Sequence, residues 1–220
     1  MIRLHGYFRS STTYRLRIAL NLKGLAYDYV PVNLVGAEQK DPAYLARDPF
    51  GSVPLLEAGG RDRAQSMAQL EWLEEAYPEP PLLPRDVEDR FTARELAYAI
   101  ATETHAVNNL PVLNYLKTEF AATQEQVEAW YRHWLVRTFA PIETRLAQRE
   151  AGDFLFSAPG LFEVVLLPQL YNARRFALDM APFPHIARIE AACLPLDAFR
   201  RAHPDNQPDN PDRPGPERAE

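Results

Sequence analysis

The chain has 220 residues, 46% hydrophobic and 25% charged, with a net charge of −6, enough for one large domain or two small ones with a real core. That balance offers no basic footprint for nucleic acid and no apolar run approaches the length of a membrane span. The single cysteine, Cys193, excludes an intrachain disulfide framework and a multi-cysteine metal site. Met1 to Gly6 run straight into a strand pattern without a secretory hydrophobic region, so a cytoplasmic location is expected.

Ile2, Leu4 and Phe8 alternate with Arg3, His5 and Tyr7, which predicts a first strand with two different faces. Ser10-Ser11-Thr12-Thr13 supplies hydroxyl N-caps for a helix whose apolar stripe runs through Tyr14, Ile18 and Leu22, with Lys23 and Gly24 at its end. A second strand is expected over 26–32 and a loop with a short helix near Ala43 to Ala46. A third strand follows at Val53 to Glu57, with Pro54 at its start. Gly59-Gly60 turns the chain into a polar fourth strand, Arg61 to Ala64. Gln65-Ser66 opens a helix carrying Met67, Leu70, Leu73 and Tyr77 on one side.

Pro78, Pro80, Pro81 and Pro84 form a bridge that neither helix nor central strand continues through. This places a domain boundary there, with an α/β domain over 1–80 and an all-helical domain over 86–203. In the second half, Glu88 to Leu110 reads as one helix ended or kinked by Pro111. Thr123 and Gln126 form a capping box ahead of a helix carrying Val127, Trp130, Trp134 and Ile142. The two tryptophans, one turn apart, are read as core. Leu161 to Phe176 is apolar on most sides and is expected to be a buried central helix, with Cys193 as further buried packing. Residues 204–220, rich in proline and charge, are expected to form a flexible tail.

This order of elements and several local runs resemble the zeta class of glutathione transferases, the maleylacetoacetate and maleylpyruvate isomerase family. The runs are Tyr7 to Gly24, Val53-Pro54, Gln65-Ser66, Glu71 to Glu75, Leu82 to Pro84, Leu167 to Gln169, Asn172 to Phe176 and Pro182 to Ile186. The resemblance implies a thioredoxin-like glutathione-binding domain followed by a helical bundle, assembled as a homodimer. The implied reaction is glutathione-dependent cis–trans isomerisation of a maleyl keto acid. Conjugation or removal of halide from a haloacid on the same site, or a catalytically weak glutathione-binding module, are the alternatives.

Glutathione brings its own thiol, and the thiolate is the reactive form, so the protein must favour an anion. Ser10, Ser11 and Thr12 stand where the first helix begins, and free N–H groups with the positive end of the helix dipole favour an anion there. From the residues alone they are N-caps; the resemblance adds the role of thiolate partner, with Ser10 leading. By the same resemblance Val53-Pro54 is a cis-proline turn that pairs with the glutathione backbone, and Gln65 and Ser66 receive its γ-glutamyl carboxylate. Gln39, His105 and Asn108 are further contacts to glutathione or substrate; a loop glutamine and a domain-interface histidine are their plainer readings. Arg9 and Arg175 are the candidates for the substrate carboxylates, which a guanidinium pairs with through two parallel bonds; Arg174 is read as external.

The chain departs from the family pattern at four places. Thr12 stands where many zeta enzymes have a cysteine, Leu110-Pro111 stands where relatives often carry arginines, and Arg61-Asp62-Arg63 makes an atypical strand. Gly160-Leu161-Phe162-Glu163 lacks the hydroxyl cap, an expected loss of about 1 kcal/mol.

Overall fold

The computed structural model describes residues 1–213. Two compact units divide it: Met1–Pro81 together with the chain from Pro195 onward, and Leu82–Leu194. Among the described residues no helix is long and apolar enough to cross a membrane.

The first unit is built on a four-stranded sheet in the order β2-β1-β3-β4, with β1 Ile2–Gly6, β2 Asp28–Pro31, β3 Leu55–Ala58 and β4 Arg61–Arg63. β2 runs parallel to β1, pairing Leu4 with Tyr29; β3 and β4 are antiparallel additions. The parallel pair requires a crossover, which α1 (Ser11–Leu22) supplies. The polar fourth strand is possible because it lies at the sheet edge, where exposed charged side chains also discourage pairing with another chain. Gly6 is needed for close approach, since a Cβ there would meet Thr13 Cγ2 at 2.2 Å.

Between β2 and β3 come a 3₁₀ turn, Glu38–Lys40, and α2, Pro42–Leu45. α3 (Ser66–Ala76) follows β4 and buries Leu70 and Leu73. Lys23 sits at the end of α1, but its side chain does more than face a helix dipole. Its Nζ donates to Glu74, to the Tyr77 carbonyl and to the Pro80 carbonyl, at 2.8, 2.7 and 3.0 Å. It thereby fixes the proline bridge, where the Glu79–Pro80 peptide is cis.

The second unit is helical. α4 (Val87–Tyr98) continues as a π-helical stretch over Ala99–His105 and the short α5, Ala106–Asn108. The break expected at Pro111 occurs instead at Asn109, which is extended (φ −74°, ψ 153°). α6 (Leu110–Glu119) starts immediately afterwards with Pro111 in its first turn, where the missing N–H costs no intrahelical bond. α7 (Gln124–Ala147) begins with the predicted Thr123–Gln126 capping box. It buries Val127, Tyr131, Leu135, Phe139, Ile142 and Leu146. Trp130 and Trp134 lie to one side of that stripe and are half-buried, so the core reading of these two is corrected. Trp130 Nε1 donates to the Val107 carbonyl at 3.1 Å, and the two rings pack 5.6 Å apart. α8 (Leu161–Arg175) is buried along almost its whole length, as its all-round apolar sequence predicts. α9 (Pro184–Cys193) packs beside it, and Cys193 is fully buried, which pushes its thiol pKa up.

The start of α8 explains the missing hydroxyl cap. A Cβ on Gly160 would stand 2.4 Å from the Leu82 carbonyl oxygen, the same oxygen that accepts from Leu161 N at 2.8 Å. Glycine is the residue this approach permits, and Glu163 reaches back to accept from Gly160 N at 2.8 Å and from Leu155 N at 2.7 Å.

The expected flexible tail is corrected over residues 204–213; its remainder, 214–220, lies outside the described residues. α10 (Asp197–Ala202) and a 3₁₀ turn (Pro204–Asn206) return the chain to the first unit, and Pro204, Gln207 and Asn210 are buried. Many prolines and charges suit disorder only where no partner satisfies them. Here Asn21 Nδ2 donates to the Ala198 carbonyl and Arg17 Nε to the Ala202 carbonyl. Gln207 closes the segment on itself through the Arg201 and His203 carbonyls.

Two histidines of the first unit tie its stability to pH. Burial, then the adjacent Arg47 guanidinium, lowers the pKa of His5 from 6.5. Burial chiefly lowers that of His203 from the same value. With folded pKa values below the unfolded one, the unfolded chain takes up protons first. Stability is therefore complete above pH 6.5 and falls as pH drops through 6.5 toward the folded values. Denaturant midpoints of the parent and of His5→Gln across pH 7.5 to 5 check this: the parent is expected to lose more stability than the variant, and parallel curves would refute it.

Candidate functional site

In the first unit, three segments distant in sequence are joined at the start of α1. Ser10 is its N-cap, and Ser10 Oγ accepts from Thr13 N at 3.2 Å. Thr12 Oγ1 lies 2.9 Å from Ser10 Oγ and donates to the Val53 carbonyl at 2.9 Å. Thr12 has one hydroxyl hydrogen, and it is committed to Val53, so the hydrogen shared between Ser10 and Thr12 is Ser10's. Ser11, half-buried, is the first helical residue. The Val53–Pro54 peptide is cis, and the Pro54 carbonyl accepts from Gln69 Nε2 at 3.0 Å, which anchors this turn to α3.

Gln65 and Ser66 open α3. Gln65 is exposed and held at φ 68°, ψ 102°, a left-handed conformation that costs a non-glycine residue about 1–3 kcal/mol and persists where surrounding structure enforces it, often at ligand sites. Ser66 Oγ accepts at 3.2 Å from Arg15 Nη1. Arg15, only 1% exposed, thus brings a guanidinium from α1 beneath the first turn of α3. Two helix N-termini and a buried cation together make a field that favours anions. Nothing in the sequence pattern of α1 marked Arg15 beforehand. Gln39, half-buried in the 3₁₀ turn, has its Oε1 buried without a hydrogen-bond partner among the described residues.

Arg9 follows the end of β1 and is exposed, with its guanidinium 5.6 Å from the Phe8 ring centre.

The remaining candidates belong to the second unit. His105 is half-buried at the end of the π-helical stretch, an irregularity that recurs at functional sites. Asn108 is buried, donates from Nδ2 to the Tyr131 carbonyl at 3.2 Å, and leaves Oδ1 without a partner among the described residues. The Tyr131 ring stacks on Phe176 at 3.8 Å and 9°. Phe176 follows Arg175 in sequence. Arg175 is exposed, and its Nη1 donates to Asn172 Oδ1 at 3.3 Å. Arg174 is exposed too, but it is paired with Glu190.

Comparison with known proteins identifies the family. The family described as glutathione S-transferase, N-terminal domain, matches residues 4–81. A maleylpyruvate isomerase from a Ralstonia species is 42% identical over 95% of this chain and 100% of its own length. A maleylacetoacetate isomerase from Pseudomonas aeruginosa is 42% identical over 96% of this chain and 99% of its own. A zeta-class glutathione S-transferase from Euphorbia esula is 41% identical over 95% and 92%. Among solved structures, the holo form of a zeta-class bacterial maleylpyruvate isomerase superposes with a TM-score of 0.92 at 42% identity, covering 94% of this chain and 99% of that one. A maleylacetoacetate isomerase from Anaeromyxobacter dehalogenans, solved with glutathione in its active site, gives 0.85 at 44% identity, covering 96% and 98%. With such identity over nearly the whole length, on a thioredoxin-like sheet followed by helices, this chain belongs to the zeta class of the glutathione transferase family, alongside the maleylpyruvate and maleylacetoacetate isomerases.

Proposed function

We propose that the protein is a glutathione-dependent cis–trans isomerase of a maleyl keto acid, maleylacetoacetate or maleylpyruvate, working as a homodimer. The observation that carries this reading is the joined start of α1: an N-cap hydroxyl, a cis-proline turn and the Arg15-supported start of α3, in a family whose named members carry out this reaction.

The residues fit a tripeptide thiol. Gln65 and Ser66 receive the γ-glutamyl carboxylate at the α3 N-terminus, with Arg15 behind them. Val53 and Pro54 present their backbone to that of glutathione, and Gln39 is assigned as a further contact to it. His105 and Asn108 are assigned as further glutathione contacts. When bound, glutathione supplies a thiolate whose reversible addition to the maleyl double bond lets the carbon–carbon bond rotate before elimination gives the trans acid. Ser10 donates its hydroxyl hydrogen to the sulfur, and the N–H groups of Ser11 and Thr12 add the dipole of the α1 terminus. Arg9 and Arg175 hold the substrate carboxylates and stabilise the negative charge that develops on the keto-acid oxygens.

The test is the ultraviolet change as maleylpyruvate and maleylacetoacetate convert to their trans isomers, with and without glutathione. Conversion that requires glutathione is expected. Conversion unaffected by its omission sinks the mechanism. Glutathione binding without turnover of either acid would transfer the reading to haloacid or conjugation chemistry, or to a binding module.

A further inference from the structure

The C-terminal segment reaches the loop that carries the thiol site. Asp209 Oδ2 accepts from Phe8 N at 2.8 Å and from the Tyr29 hydroxyl at 3.1 Å. On the other side of the same residue, the Phe8 carbonyl accepts from Arg17 Nη2 at 2.9 Å. Both peptide groups of Phe8 are thus held by side chains, one from α1 and one from a position 201 residues away. Phe8 stands directly before Arg9 and two residues before Ser10. The turn between them is closed by Ser10 N donating to the Tyr7 carbonyl at 3.0 Å.

Arg17 makes this a linked device. It is fully buried, so its charge is costly there. Two of its donors go to main-chain carbonyls, Nε to Ala202 and Nη2 to Phe8, and Nη1 is buried without a hydrogen-bond partner among the described residues. The Asp209 charge acts on it favourably through space, together with the faces of Tyr14 and Tyr29, whose ring centres lie 5.3 and 5.9 Å from the guanidinium. One cation therefore ties the C-terminal segment to the Phe8 carbonyl, and one anion in that segment ties back to the Phe8 amide.

We propose that Asp209 is a positioning residue of the thiol site: it fixes the Phe8–Ser10 turn, and so the placement of the Arg9 guanidinium and the Ser10 hydroxyl, from the far end of the chain. The proposal rests on the reading of Ser10 as thiolate partner. A merely stabilising role for the segment makes a different expectation, because Asn21 also anchors it, through the Ala198 carbonyl at 2.9 Å, without touching the turn.

The experiment compares Asp209→Ala, Asp209→Asn and Asn21→Ala in the full chain. It measures thermal melting, the bound thiol's titration by thiolate absorbance, and amide exchange over residues 7–12. Asp209→Ala is expected to speed exchange of the turn. It should also lower the bound thiolate fraction about tenfold below its pKa, as a one-unit shift does, and reduce turnover about 10²-fold, as misplacement of a reacting group by about 1 Å does. Asp209→Asn keeps an acceptor for the Phe8 amide and is expected to recover most of both losses. It also serves where the alanine variant fails to fold. Asn21→Ala is expected to lower the melting temperature with the parent thiol titration intact. A folded Asp209→Ala protein with parent exchange and parent thiol titration overturns the proposal, as does an Asn21→Ala protein with the same thiol shift. A parent enzyme whose bound thiol titrates like free glutathione would instead fail the thiol-site reading, and exchange of the turn would still decide what Asp209 holds.

Discussion

Ser10→Ala is expected to lower glutathione-dependent turnover about 10²–10³-fold, the usual cost of losing one hydrogen bond to developing or resting anionic charge. It should also move the bound thiol's pKa toward the free value of about 8.5. The Ser10 hydroxyl accepts from Thr13 N and gives its hydrogen to Thr12 Oγ1. That hydrogen can pass to an arriving sulfur while Ser10 goes on capping the helix. Thr12 has no such freedom, since its hydrogen holds the Val53 carbonyl. Thr12→Val should therefore act mainly on glutathione affinity, through a loosened Val53–Pro54 turn, and less on the thiol pKa. Losing the Ser10 cap costs only about 1 kcal/mol of stability, too little to unfold the protein and counterfeit the effect. Thiolate absorbance of bound glutathione against pH, with turnover on the same samples, is the measurement. An unchanged titration in Ser10→Ala would remove Ser10 from its role and leave Ser11 as the hydroxyl to examine.

Glu163→Ala is expected to cost about 2–4 kcal/mol of stability. The Glu163 carboxylate is 1% exposed and accepts from Leu155 N and Gly160 N at the start of α8. Its removal strands two backbone donors, each worth about 1–3 kcal/mol when buried without a partner, and opens a cavity. Part of that loss is offset, because burial raises the pKa of this carboxyl despite those two bonds, so holding it ionised carries a cost of its own. Glu163→Gln keeps one acceptor oxygen and presents an amide donor to the second N–H, so roughly half the loss is expected. Denaturant unfolding of the three proteins at one pH gives the comparison. A Glu163→Ala midpoint equal to the parent's would show that the α8 start does not depend on this carboxylate. Glutathione affinity should survive in a folded Glu163 variant, since the first unit supplies the residues assigned to it, apart from His105 and Asn108.

Much of the fold was legible in local signals. Alternation gave β1, the hydroxyl run gave the Ser10 cap, and Thr123 with Gln126 gave the start of α7, because each depends on residues a few positions apart. The proline bridge was legible for the same reason: proline excludes helix and central strand whatever surrounds it. The hydroxyl run, Val53-Pro54 and Gln65-Ser66 were likewise visible as the parts of a candidate site.

What only the tertiary structure decided lies in pairings between distant residues. Chain periodicity alone suggested that Trp130 and Trp134 were core, but α7 directs its Val127, Tyr131 and Leu135 stripe inward and leaves the tryptophans at its edge. Pro111 looked like a terminator; the chain breaks at Asn109 and uses the proline in the next helix's first turn. Gly160 looked like a missing cap until the Leu82 carbonyl was found where a side chain would stand. Residues 204–213 carry the composition of a disordered tail, because composition reports what a segment can bury by itself. Their order comes from Asp209 meeting Phe8 and Tyr29, and from α10 meeting Arg17 and Asn21. Sequence by itself determined the family, the strand order of the first unit and the residue types of the candidate site. Burial of the charges at Arg15 and Arg17, and the pairing of half-buried Asp209 with Phe8 and Tyr29, required the fold, since a charge leaves water only where its partners are already in place.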